Sequence, residues 1–113
     1  MPNSVVRVGP IRVLVSVSKQ RYFAQSLEID YFAEGLTKEE VVQNFIDGFY
    51  ATISYLVENQ GNVQKFAVQA PENFWKEFYE HFFDNKLSIL KKVPLRSSVR
   101  LPFNSFHFLD IAE

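Results

Sequence analysis

The chain has 113 residues and no cysteine, and its 12 Lys and Arg against 13 Asp and Glu leave a net charge of -1. That is length for one domain, it excludes disulfides and thiolate-metal sites, and it leaves no overall cationic field with which to grip nucleic acid. With 47% hydrophobic and 16% aromatic residues the chain has ample material for a packed core. No apolar run reaches the roughly 20 residues of a membrane span. Residues 1–12 lack the apolar stretch and small-residue cleavage site of a secretory signal, so a cytoplasmic protein without membrane contact is expected.

In chain order, Ile11, Val13, Val15 and Val17 fall on one face at period two and predict a strand. The polar residues Ser18 to Arg21 connect it to a second strand over Tyr22–Leu27 by a short hairpin, without the Asn-Gly signal that such turns favour. Asp30 marks a turn, and residues 31–34 make a short third strand ending at Gly35, a residue able to take positive φ. Thr37-Lys38-Glu39-Glu40 reads as a capping box that opens a helix. Val41, Phe45, Ile46, Phe49, Ile53 and Leu56 recur every three or four residues along it, and Gly61 closes it. The first 60 residues therefore predict a β-β-β-α meander under one covering helix.

The second half predicts a strand over 63–69 and a helix from Pro71 to about Asn85, with Pro71 in its first turn. Phe74-Trp75, Phe78-Tyr79 and Phe82-Phe83 repeat every four residues in that helix and draw a wide aromatic stripe, serving either the core or a partner chain. Short extended segments are expected at 87–90, 98–101 and 106–111, broken by Pro94 and Pro102. The fold class expected is α+β in a single domain. Residues 1–60 supply the meander unit, and 61–113 a strand-helix-strand extension.

Neutrality conceals segregation. Residues 1–27 carry +4, residues 28–84 carry -8, residues 85–109 carry +5 and the last four carry -2. The acidic middle would steer a basic partner if the fold gathers it on one surface, and otherwise forms solvated helix faces. The basic segment Lys86, Lys91, Lys92, Arg96 and Arg100, with Phe103, Phe106 and Phe108 behind it, has the composition of a nucleic-acid contact and equally of an edge strand blunted by Lys and Pro.

Catalytic patterns are sparse. His81 and His107 are the only imidazoles; His81 could meet a metal with Glu77 or Asp84 at helical spacing, but an exposed helix-face histidine is the simpler reading. His107 alternates with Phe106 and Phe108, which predicts a solvent-facing ring. Glu28 and Asp30, two apart on a predicted strand and close to Glu34, raise the idea of nuclease carboxylates, without the further acids such a site needs. No Gly-rich phosphate loop or nucleophile elbow is present. The expectation is a non-enzymatic protein that needs no cofactor and no metal.

One stretch carries a family resemblance. Leu27-Glu28-Ile29-Asp30, Glu34-Gly35-Leu36-Thr37 and Glu39-Glu40-Val41 stand where HicB-type antitoxins show a strand ending L-E-L-D, a Gly-x-Thr turn and a helix opening with acidic residues. Over about residues 11–58 the chain resembles the N-terminal domain of that family. The resemblance implies a partial ribonuclease-H-like fold without nuclease activity, a small basic toxin as partner, and self-association as a homodimer. Residues 62–113 resemble neither DNA-binding module usual in complete family members. Gly35, Thr37 and Glu40 are the structural positions of the motif. The expected partner-binding residues are Glu28, Asp30 and Glu34 on the acidic side and Trp75, Phe78, Tyr79 and Phe82 on the aromatic helix. The alternative is a small nucleic-acid-binding module using residues 86–108 through Lys91, Lys92, Arg96 and Arg100.

Overall fold

The computed structural model describes residues 9–59, 68–96 and 101–111. The β-branched run forms β1 (Gly9–Ser18), which turns into β2 (Arg21–Ser26) through Lys19 and Gln20. Both turn residues have left-handed backbones, with φ of 52° and 63°. That is the two-residue geometry whose twist matches a β-hairpin, built here without asparagine or glycine. The third strand, β3 (Phe32–Gly35), pairs antiparallel with β2. The helix α1 (Lys38–Asn59) follows, then α2 (Glu72–Phe83), β4 (Leu87–Pro94) and β5 (Phe103–Ile111). The class is α+β.

The five strands form one sheet in the order β3-β2-β1-β5-β4. β5 lies parallel to β1 at the centre and antiparallel to β4, so the second half of the chain completes the sheet begun by the first. The predicted short segment at 106–111 is in fact a nine-residue inner strand. β4 likewise continues past the predicted Leu90 to Pro94, with a register shift between Ile89 and Lys91. Pro94 and Pro102 flank the β4–β5 connection and break neither strand. The strand predicted over 63–69 and the segment 98–101 fall mostly outside the described residues; Val68, Gln69 and Leu101 are non-strand.

The sheet has two differently covered faces. Ile11, Val13 and Val15 of β1 and Phe106 and Phe108 of β5 point to one side, where they bury against Val41, Val42, Phe45, Phe49 and Ile53 of α1. Aromatic edges fix this layer: Phe45 meets Phe108 at 5.6 Å and Phe49 meets Phe106 at 5.0 Å, both near perpendicular. Such pairs add about 1 kcal/mol each beyond area burial. Leu14 of β1 points to the other side and joins Leu27 and Phe78 of α2 in a smaller core, with Phe74, Trp75, Leu87, Leu109 and Ile111 packed around it.

Local devices hold the elements in place. The Thr37 Oγ accepts from the Glu40 N–H at 3.0 Å, so the cap forms. Among the described residues the Glu40 carboxylate returns no hydrogen bond to Thr37, which leaves half of the predicted box. Gly35 is needed for a close approach and not for positive φ, since a Cβ there would lie 2.8 Å from the Val41 backbone nitrogen. α2 starts one residue later than expected, with Pro71 as its N-cap, and stops at Phe83. Asn85 there takes φ of 55°. Its N–H donates to the Phe82 carbonyl at 3.2 Å and the Lys86 N–H to that of His81 at 2.8 Å, the two bonds of a Schellman stop.

Candidate protein-binding surface

Glu28 and Asp30 do not stand side by side on a strand. β2 ends at Ser26, and residues 27–31 form a tight loop in which the Ser26 hydroxyl donates to the Ile29 carbonyl and accepts from the Tyr31 N–H. Glu28 is turned toward β1, where its two carboxylate oxygens accept from the Arg12 backbone N–H and the Arg12 Nε, each at 2.7 Å. Asp30 accepts from the Gln25 Nε2 at 2.9 Å and is otherwise exposed. Glu34 lies on β3, exposed, 3.5 Å from Arg21. The nuclease arrangement is therefore not assembled. Among the described residues no group of three or more His, Asp and Glu is close enough to hold a metal ion.

The aromatic stripe of α2 divides along its length. Phe78 is buried, and Trp75 is half-buried with Arg12 beneath both: the guanidinium carbon lies 4.7 Å from the Phe78 ring centre and 5.1 Å from that of Trp75. These two side chains are core, packed over a cation that Glu28 neutralises. The indole N–H of Trp75 is buried and meets no acceptor among the described residues. Tyr79 and Phe82 are exposed, and so is Phe83, a member of the stripe that is not among the expected partner-binding residues. Phe78 stacks on Phe82 and Tyr79 on Phe83, so the far half of the helix presents an ordered aromatic surface.

The acidic middle is split by the sheet. Glu39, Glu40, Asp47 and Glu58 are exposed on α1, while Glu72, Glu80 and Asp84 are exposed on or beside α2, which packs on the opposite face. A single acidic surface does not form. Only three ion pairs exist among the described residues, Arg12–Glu28, Arg21–Glu34 and Lys38–Asp110, so the carboxylates beside the exposed aromatics of α2 carry no cation.

The basic residues divide as well. Lys91 lies by Leu90 on the α1 side, in a cleft with Lys38, Glu39, Val42 and Gln43. Lys92 pairs across to His107 on the α2 side. Arg96 is exposed, its N–H bonded to the Tyr50 hydroxyl at 2.9 Å, and Arg100 lies outside the described residues. His81 holds its own helix, with Nδ1 donating to the Glu77 carbonyl at 2.7 Å. His107 is half-buried and not the solvent-facing ring expected, because the α2 side of the sheet is itself partly covered. Burial and then Lys92 hold its pKa below the usual histidine value, against a smaller opposing pull from Glu28.

Next to these groups a groove of about 320 Å³ opens between the end of α2 and the β4–β5 pair. Phe78, Phe82, Leu87, Ile89, His107 and Leu109 are among the residues that line it. Ile89 is 61% exposed at its rim. The exposure of Ile89 is not legible in the sequence, because nothing in a β-run tells where its cover stops.

The described residues form a five-stranded mixed sheet with a helix on each face and exposed aromatics at the far end of α2. No family model matches the chain, and neither a curated protein nor a solved structure matches it. Among the described residues no helix is long and apolar enough to cross a membrane.

Proposed function

We propose that this chain is a non-enzymatic, HicB-like binding module that holds a small basic protein, antitoxin fashion, and works as a homodimer in the cytoplasm. The observation that carries the reading is the far half of α2. Tyr79, Phe82 and Phe83 are 46%, 56% and 76% exposed beside the carboxylates of Glu80 and Asp84, which join no ion pair among the described residues. Large stacked aromatics supply anchors, and bordering carboxylates select a cationic partner and speed its approach. The stacked pair Phe23–Phe32 at the β3 edge, 5.7 Å between centres with Phe32 half exposed, supports a second copy at that end.

The nucleic-acid alternative for residues 86–108 draws less support, because Lys91 and Lys92 lie on opposite sides of the sheet and do not line one track for a phosphate backbone. Co-purification from native cells followed by mass spectrometry tests the proposal. A small basic protein is expected with the wild type and absent with Tyr79→Ala/Phe82→Ala. Recovery of no such protein with the wild type, or equal recovery with the variant, refutes it.

A further inference from the structure

We infer that the outer edge of β4 accepts an extended acidic segment of another protein as a sixth strand. β4 ends the sheet, and among the described residues it pairs with β5 alone, so one side of its backbone offers donors and acceptors that no described strand uses over residues 87–93. Lysine, proline and a bulge are ordinary protection for such an edge. Protection alone does not explain Ile89, a large apolar side chain 61% exposed on the edge itself, beside the groove lined by Leu87 and Leu109.

Charge identifies the occupant. Lys86, Lys91, Lys92 and Arg96 are exposed, and none belongs to an ion pair among the described residues. The cross-strand partners place them: Ile89 lies opposite Leu109 and Lys92 opposite His107 on the α2 side, whereas Lys91 lies opposite Phe108 on the α1 side. An added strand would therefore set an apolar side chain against Ile89 and two successive acidic residues against Lys91 and Lys92, one on each face. A second copy of β4 would bring four lysines onto one short junction, which like-charge repulsion disfavours. A nucleic acid would meet the cations of only one face. Phe82 of the proposed function borders the same groove as Ile89, but the backbone edge of β4 and the Lys91–Lys92 pair belong to this inference alone, and it stands or falls on them.

Fluorescence anisotropy with the full chain tests this. The probe is a labelled octapeptide of valine and serine with one adjacent aspartate–glutamate pair next to a valine. Saturable binding is expected, weakened about tenfold by Lys91→Glu/Lys92→Glu as two ion pairs of modest worth become repulsions. Both lysines are exposed, so the fold is retained. A probe with a lysine pair should not bind, and one with alternate amides N-methylated should lose binding, since it keeps the charges and removes the edge hydrogen bonds. The inference is overturned if the acidic probe shows no saturable binding, if the N-methylated probe binds equally well, or if a single-stranded oligothymidine displaces the probe with the same dependence on Lys91 and Lys92. Tyr79→Ala/Phe82→Ala, which tests the proposed function, leaves the charge and hydrogen-bond arms of this experiment untouched.

Discussion

Arg12 joins three parts of the molecule at once: its backbone N–H and Nε hold the Glu28 carboxylate, and its guanidinium lies under Trp75 and Phe78. The loop after β2, the central strand and α2 are thereby tied through one side chain. Arg12→Ala is expected to lower stability by about 2 kcal/mol in urea denaturation, because it leaves a half-buried carboxylate without its cation as well as an uncovered aromatic pair. Gly48 gives a second residue-scale prediction. A Cβ there would collide with the Tyr31 hydroxyl oxygen. Gly48→Ala gains about 1 kcal/mol of helix propensity but forces an overpacked contact costing about 1–3 kcal/mol, so net destabilisation is expected. Adding Tyr31→Phe removes the clashing oxygen and should restore part of the loss, less the hydrogen bond that the Tyr31 hydroxyl shares with Thr52; an unchanged deficit in the double variant would count against the contact. Neither constraint is legible in the sequence, since Gly48 looks like any helical glycine and Arg12 like an outward strand residue until the second layer is in place.

At the scale of elements, local chemistry was readable wherever a single segment decides its own conformation. β1, β2, α1 and α2 follow from period-two and period-3.6 patterns, and Thr37 caps as its position implies. The Lys19-Gln20 turn was readable only as a short connection, because neither residue advertises a positive φ. Each pays a steric cost that asparagine and glycine avoid, so Lys19→Asn/Gln20→Gly is expected to raise the thermal midpoint, with a gain of about 1 kcal/mol. The sequence shows only a fragment of β5, since the full length of that strand depends on having β1 on one side and β4 on the other. The candidate site shows the same limit: the aromatic stripe was visible, but the boundary between buried Phe78 and exposed Phe82 is set by how far α2 overlaps the sheet.

For the whole molecule, the two unlike faces predict a pH response. Burial and Lys92 lower the His107 pKa in the folded state, against Glu28, and Arg12 lines the same groove. The unfolded chain then binds more protons than the folded one as pH drops below the ordinary histidine value, so this group removes stability with acidification and none above it. Between pH 7 and 5 the denaturation midpoint of His107→Gln should fall less than that of the wild type; parallel curves would show that the ring carries no such linkage. The parallel pairing of β1 with β5 has a different consequence, in the order of assembly. Gly9 meets Phe103 only after the intervening chain has been made and gathered, and contacts so distant in sequence slow folding. During synthesis the meander and α1 exist first, with one edge of β1 open and Phe45 and Phe49 lacking the rings of Phe106 and Phe108. The middle of the sheet is thus the last of it to be filled, and until β5 arrives the open edge of β1 is a place where a wrong strand can enter.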